Sequence, residues 1–315
     1  MKLHTSKTIL LIFIFNLIFF YSCKEETKAI SVIDSHIETG HINASGITSV
    51  LAKCPNGKQM VGGGFTISPD ARVFVVGSYP VSKDTWQVDV INMSQPGEDP
   101  SSLSVYVYYY TGDKNLGMEI KQQNVVTSVP ASLALFEYKS LTIEKPSPSY
   151  VVTCGGFKLS NPDIIENDVL GSFPALVTPT PSGVLDNVIG WTNNLYVMSG
   201  KTTGITNYLM YSKGSAIVGS SSTPVFDQGT ALRKNSSTLG INSIGSFEME
   251  GNTDYFCTGG GYNLTDGAQS FYYPVLQVWQ NNATTKSGVF YGWQFKGQYV
   301  TTNNWDIYAL QLKLH

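Results

Sequence analysis

Residues 51–65 read Leu-Ala-Lys-Cys-Pro-Asn-Gly-Lys-Gln-Met-Val-Gly-Gly-Gly-Phe, and this pattern returns twice. Residues 141–157 read Leu-Thr-Ile-Glu-Lys-Pro-Ser-Pro-Ser-Tyr-Val-Val-Thr-Cys-Gly-Gly-Phe, and residues 247–262 read Phe-Glu-Met-Glu-Gly-Asn-Thr-Asp-Tyr-Phe-Cys-Thr-Gly-Gly-Gly-Tyr. Each statement has an apolar run, a turn, and a second apolar run that ends in glycines and an aromatic residue. Asn56-Gly57 supplies the positive φ of a tight hairpin, and Pro146 and Pro148 preset φ near about −65°. Glycines within a strand mark a bulge or the close approach of another backbone. Their recurrence implies three equivalent crowded places.

The unit continues in parallel beyond the glycines. Aromatic-proline pairs follow at Tyr79-Pro80, Phe173-Pro174 and Tyr273-Pro274, then Trp86, Trp191 and Trp293, then Tyr-rich alternating runs at 103–110, 208–211 and 307–314. The aromatic residue after the glycines falls at 65, 157 and 262, so the period is 92 and then 105 residues. That is too long for a helical solenoid and suits four or five strands per copy. Trp86, Val88 and Val90 alternate with Gln87 and Asp89, as a strand with one buried face requires. No amphipathic helix is found, and residues 119–126 are too polar and too β-branched for one. The copies divide as 46–119, 120–215 and 216–315. The expected fold is all-β: three pseudo-repeats of a four- to five-stranded antiparallel sheet, whose apolar faces must cover one another. Three sheets around a common axis make a triangular prism, whereas a propeller needs at least four blades. In repeat number and strand count this architecture resembles the β-prism of jacalin-like lectin modules, and the resemblance implies ligand binding at the sheet edges.

The start of the chain stands apart. Lys2 and Lys7 precede an apolar run at residues 8–20 that is broken only by Asn16, and Tyr21-Ser22-Cys23 follows. This thirteen-residue run falls short of the roughly 20 residues that a spanning helix needs. The stretch resembles a bacterial lipoprotein signal. In that family residues 1–22 would be removed and Cys23 would become the lipidated, palmitate-bearing N-terminus that anchors the protein in the outer membrane. Lys24-Glu25-Glu26 resembles the surface-export signal of some Gram-negative lipoproteins. Residues 23–45 then read as the lipidated cysteine and a polar tether.

Charge excludes some partners. Charged residues are 14 % of the chain, and removal of the signal lowers the Lys and Arg count from 20 to 18 against 23 acids. Basic residues form no cluster, so neither nucleic acid nor an acidic membrane surface has its electrostatic footprint. The histidines are His4, His36 and His41 before the repeats and His315 at the chain's last position, which leaves a Ser-His-Asp or Cys-His arrangement only these peripheral histidines to draw on. The glycine runs lack the following lysine and helix of a phosphate cradle. Cys54, Cys154 and Cys257 are an odd number with no Cys-x-x-Cys spacing, so they read as small buried residues, with neither a zinc site nor a disulfide framework. No cofactor or metal is expected. A carboxylate pair for glycoside hydrolysis stays open, with Asp84, Asp89, Asp186 and Asp306 near the Trp strands.

Two sets of residues offer ligand chemistry. Asp70, Asp163 and Asp266 each follow an aromatic marker; they are either turn residues bonding their own backbone or carboxylates that grip a sugar hydroxyl or help hold Ca²⁺ at the edge of each sheet. Asn161, Asp163, Glu166 and Asp168 are the densest oxygen cluster, without EF-hand spacing. Trp86, Trp191, Trp293, Tyr79 and Tyr273 are either core or stacking platforms for sugar faces. The tract at 106–110 needs something packed on its second face. The expected function is therefore a surface-tethered, non-catalytic binding lipoprotein for a glycan or another cell-surface component. The alternatives are a structural or assembly protein that binds a partner protein, and a carboxylate-pair glycoside hydrolase.

Overall fold

The computed structural model describes residues 32–313 apart from 45, 69–71, 94–100, 114, 132–135, 163–166, 177–182, 186–187, 214–229, 236–243, 252–254, 265–275, 287–288 and 300–303. The first copy carries β1 (Ile33–His41), β2 (Ile47–Lys53), β3 (Gln59–Ser68), β4 (Val73–Ser82), β5 (Thr85–Asn92) and β6 (Ser102–Tyr110). The second carries β7 (Met118–Ser128), β8 (Phe136–Glu144), β9 (Val151–Leu159), β10 (Asn167–Leu176), β11 (Gly183–Leu185), β12 (Val188–Met198) and β13 (Thr202–Ser212). The third carries β14 (Thr230–Asn235), β15 (Ile244–Glu250), β16 (Tyr255–Leu264), β17 (Leu276–Lys286), β18 (Val289–Tyr299) and β19 (Trp305–Lys313). The fold is all-β in three repeats, with no helix among the described residues.

Three antiparallel sheets form, and each is shared between two copies. Sheet I runs β1-β6-β3-β17-β18-β15, sheet II runs β7-β13-β9-β4-β5-β2, and sheet III runs β14-β19-β16-β10-β12-β8 with β11 beyond β14. A copy therefore gives three strands to one sheet and three to the next, and the third copy closes the ring by adding β17, β18 and β15 to the first copy's sheet. The expectation of one sheet per copy undercounts: each copy supplies six equivalent strands, because its edge strand (β1, β7 or β14) precedes the hairpin that marks the repeat. The tether expected over 23–45 accordingly gives way to strand at Ile33, where β1 pairs with β6 from Ile33↔Tyr110 to His41↔Ser102.

The glycines explain how the halves join. The β3–β17, β9–β4 and β16–β10 ladders have two residue pairs each: Phe65↔Asn281 and Thr66↔Gln280, Phe157↔Ser78 and Lys158↔Gly77, Tyr262↔Ser172 and Asn263↔Gly171. The last glycine of each run (Gly64, Gly156, Gly261) lies against the carbonyl of Asn281, Ser78 or Ser172, where a Cβ would not fit. The glycine before it (Gly63, Gly155, Gly260) lies against the indole of Trp86, Trp191 or Trp293. Each indole therefore crosses from one half of its copy to the glycine of the other half. A bulge sits at one place in all three copies, before Gly62, Cys154 and Gly259, with Val61, Thr153 and Thr258 as the extra residues. Both meanings of a strand glycine, a neighbouring bulge and a close approach, hold at once.

The first glycine positions meet where β3, β9 and β16 converge. A Cβ on Gly62 would meet the Thr258 carbonyl and the Cys154 Cβ, and one on Gly259 would lie 3.0 Å from Cys154 Sγ. The second copy alone places a side chain, that of Cys154, at this centre. One apolar core runs through all three copies, with Trp86, Trp293, Trp305, Phe65 and Phe295 among its largest members.

Candidate functional site

The tryptophans expected as sugar platforms are buried struts. Trp86, Trp191 and Trp293 are at most 1 % exposed, and their Nε1 groups donate to Ser78 Oγ (3.2 Å), Ser172 Oγ (2.9 Å) and Asn281 Oδ1 (2.7 Å). A buried indole needs such a partner, and the acceptor stands at the same register position in each sheet. In this structure they present no ring face to a ligand. The tyrosine tract is also covered by the chain itself: Tyr108 is fully buried against Phe290 (5.3 Å) and Trp293 (6.1 Å), and its hydroxyl accepts from Ala283 N at 2.8 Å. The third copy is what packs there. Asp70, Asp163, Asp266, Tyr273 and Cys23 lie outside the described residues. The register also places Asn282-Ala283, and not Tyr273-Pro274, opposite the third tryptophan strand in the position of Tyr79-Pro80 and Phe173-Pro174.

Register, carried across the copies, defines one equivalent place on the outer face of each sheet. Beside the last glycine stand Tyr106, Tyr208 and Tyr308, paired with Gly64, Gly156 and Gly261. Across the two-residue ladder from them stand Asn282, Tyr79 and Phe173. In sheet II, Tyr79 stacks on Tyr208 at 4.9 Å and 20°, and Lys158 Nζ lies 5.1 Å from the Tyr79 ring centre. The Tyr79 hydroxyl donates to Asp89 Oδ2 at 3.1 Å, and Asp89 Oδ1 accepts from Ser49 Oγ and Gln87 Nε2, each at 2.6 Å. Burial, helped by the Asp89 charge, pushes the Tyr79 hydroxyl well above the ordinary tyrosine range. This place is filled and its polar groups are engaged with one another.

In sheet III the same place opens into a cavity of 440 Å³. Phe173 stacks on Tyr308 at 5.0 Å and 16°, and Phe173 remains half-buried. The cavity crosses the sheet: Ser140, Thr142 and Glu144 come from β8, Thr192 from β12, Phe173 to Leu176 from β10, Asn263 from β16, and Asp306 and Tyr308 from β19. Ser140, Thr142, Glu144, Thr192, Phe173, Ala175, Asn263, Asp306 and Tyr308 share one face because strand side chains alternate. Thr142 and Thr192 hydroxyls bond at 2.8 Å, and Asn194 Nδ2 donates to Asn263 Oδ1 at 2.6 Å. Asn194 Oδ1 is buried and has no partner among the described residues. The Lys121 ammonium reaches the rim, donating to the Glu144 carbonyl at 2.8 Å, and burial pushes the neighbouring Lys145 below the ordinary lysine range. An apolar ring with hydroxyl, amide and carboxylate groups around it can hold a ligand with one apolar face and several hydroxyls. Its volume lies in the range of small-molecule sites.

The remaining acids separate. Asp84 occupies a turn, where hydrogen bonds from Ser82 and Thr85 hold its carboxyl below the usual range. Asp89 belongs to the sheet II network, Asp306 to the sheet III cavity, and Asp186 lies outside the described residues. Asp168, a member of the oxygen cluster, is buried and accepts from Leu276 N (2.7 Å) and Val169 N (2.8 Å). Among the described residues no group of three His, Cys, Asp or Glu side chains could hold a metal. Cys54, Cys154 and Cys257 are free and buried, and burial raises the first two thiols to about 12. Sequence reasoning missed Thr142, Glu144, Phe173, Asn263 and Tyr308 as a group. Their signal was the outward-facing half of each alternating strand, readable only once the strands were set in register. Comparison with known proteins gives no matching family model and no matching curated protein.

Proposed function

We propose that the chain is a non-catalytic binding module for a glycan or another cell-surface component, held at the outer membrane by a lipid on Cys23. The observation that carries the glycan reading is the sheet III cavity, where the Phe173–Tyr308 stack is ringed by Thr142, Thr192, Asn263, Glu144 and Asp306. Apolar sugar faces stack on aromatic rings, and sugar hydroxyls pair with carboxylates, amides and hydroxyls. The signal-like start and Cys23 support the tether. A glycan array probed with the full chain tests the reading, with Thr142→Trp as the control. Thr142 is exposed at the cavity, so an indole there fills it while the core is left alone. Binding by the parent that is lost in folded Thr142→Trp is the expected result. A blank array, or binding indifferent to Thr142→Trp, would sink the proposal.

One observation favours a hydrolase instead: Glu144 and Asp306 line the same cavity, as a carboxylate pair for glycoside cleavage must. Release of reducing ends from a bound glycan, lost in Glu144→Gln, would establish that reading over simple binding.

A further inference from the structure

The three outer faces compare position by position, because the tryptophans set a common register. Five residues beyond Trp86, Trp191 and Trp293 stand Ile91, Tyr196 and Gln298, paired with Ile47, Tyr138 and Ile244 on the neighbouring edge strands β2, β8 and β15. These edge-strand partners are 51, 45 and 51 % exposed. Sheets I and II hold aliphatic or amide side chains at this place. Sheet III, whose face opens into the cavity, holds two tyrosines. The Tyr138 ring stands at 75° to Tyr196 with centres 5.8 Å apart, and the Phe136 ring lies 6.0 Å from Tyr196. Neither tyrosine hydroxyl has a hydrogen-bond partner among the described residues.

The tyrosines and the cavity lie on one continuous surface. Tyr138, Ser140, Thr142 and Glu144 alternate along the outer face of β8; all four are exposed, and the last three line the cavity. Thr142 pairs with Thr192, which pairs with Phe173, while Tyr138 pairs with Tyr196. Four strand residues therefore separate the two aromatic groups, about 13 Å at about 3.3 Å per residue. One sugar ring cannot reach both, whereas a chain of sugars can. Resting on the glycan reading above, we infer that the sheet III site takes several sugars of an extended β-1,4-linked chain laid along β8, with Tyr138 and Tyr196 as a second aromatic subsite. Equatorial β-1,4 linkage makes a straight ribbon with apolar ring faces above and below, which matches two ring groups set along one strand; an α-linked chain curls away from the second group. Phe173 takes one ring face and Tyr138 another, and the free tyrosine hydroxyls pair with sugar hydroxyls as the polar end of an amphipathic ring does. The Ser140 hydroxyl lies between the two groups. No further strand of sheet III lies beyond β8 among the described residues, so the chain has open access along that edge.

The test is calorimetric titration of the full chain with two ladders of two to six sugars, β-1,4-linked glucose and β-1,4-linked N-acetylglucosamine. In at least one ladder the affinity should climb about tenfold from the disaccharide to the hexasaccharide. Tyr138→Ile installs the residue that the other two copies hold at this exposed position, so the strand is kept while the ring is lost. It should bring the hexasaccharide to within about threefold of the disaccharide. Equal affinity at every length in the parent, or a gain with length that survives Tyr138→Ile, overturns the inference and leaves the glycan reading standing. If no member of either ladder binds, the inference is likewise overturned, and the glycan array decides the glycan reading on its own.

Discussion

Asp168 gives the sharpest test of the packing between copies. Its carboxyl is buried at the start of β10, with Oδ2 accepting from Leu276 N at the start of β17 and Oδ1 accepting from Val169 N. It therefore ties the second copy to the third. Loss of water disfavours the charged form, and this outweighs the two N–H bonds that favour it, so the carboxyl rises from 3.8 to about 7. The folded chain then holds a proton that the unfolded chain releases near pH 4. The stability this contributes is complete below about pH 4 and is lost as pH rises through about 7. From pH 5 to pH 8 the loss is about 2.5 kcal/mol, since one pKa unit is worth about 1.4 kcal/mol. Asp84 and Glu119 are held below their usual range by Ser82 and by Lys83, so they act at lower pH, and the cysteine thiols are raised out of the window altogether. Urea unfolding followed by tryptophan fluorescence at pH 5, 6, 7 and 8 measures the slope, and Asp168→Asn should flatten it. A parent whose stability is level or rises over this range refutes the argument. So does a slope that survives in Asp168→Asn.

Three further outcomes follow from the glycines, the thiols and the polar core of the second copy. Gly261→Ala drives a Cβ into the Ser172 carbonyl and must open the short β16–β10 ladder, so it should cost more than about 3 kcal/mol or abolish soluble expression. Gly57→Ala, with φ +78° and open space around it, should cost only about 1–2 kcal/mol in the same denaturation assay. Cys54, Cys154 and Cys257 should resist a thiol reagent in the native protein and react when urea exposes them; fast native labelling at any of the three would contradict their burial. Asn193 Nδ2 donates to Asn207 Oδ1 at 3.0 Å and to the Gly156 carbonyl at 3.1 Å in the core, and Asn193 Oδ1 and Asn207 Nδ2 have no partner among the described residues. Asn193→Val alone should cost about 2 kcal/mol by orphaning Asn207 and the Gly156 carbonyl, while adding Asn207→Val should cost little more, and additive losses would argue against this account.

The glycine runs, tryptophans and alternating strands made the three-copy β-fold legible, because each is a local signal repeated at a fixed place. The pairing of strands from different copies was not legible. Phe65 and Asn281 are neighbours across a ladder yet lie far apart in sequence, and no local pattern encodes which copy supplies the partner. For the same reason Tyr273-Pro274 read as the third aromatic-proline pair, when register assigns that position to Asn282-Ala283. The tryptophans illustrate a second limit. Their recurrence was visible, but a ring repeated for packing and a ring repeated for binding look alike in sequence, and only burial under Gly63, Gly155 and Gly260 separates them. Glu144 and Asn263 carried no motif because a binding face spread over five strands leaves one or two residues on each.

Threefold repetition divides the labour of this chain along the inside and outside of each strand. Inward positions are nearly uniform: a Trp, the glycine beneath it, and Phe65, Phe157 or Tyr262 at the ladder. They must be, since every sheet is closed by two residue pairs and has no spare contact to lose. Positions equivalent by register on the outer faces are free of that duty, and there the copies differ: Lys158, Asn263 and Thr66 after the ladder aromatic, and Lys53, Glu144 and Glu250 at the end of the hairpin's first strand. In sheet I the counterpart of Phe173 is Asn282, whose amide donates to the Ala283 carbonyl, so no aromatic pair forms across that ladder. The stacked pair persists in two sheets, and in one of those a lysine lies over it. A binding surface can then arise on one face without threatening closure of the ring, because the residues that open it and the residues that hold the sheets together point in opposite directions from the same strands.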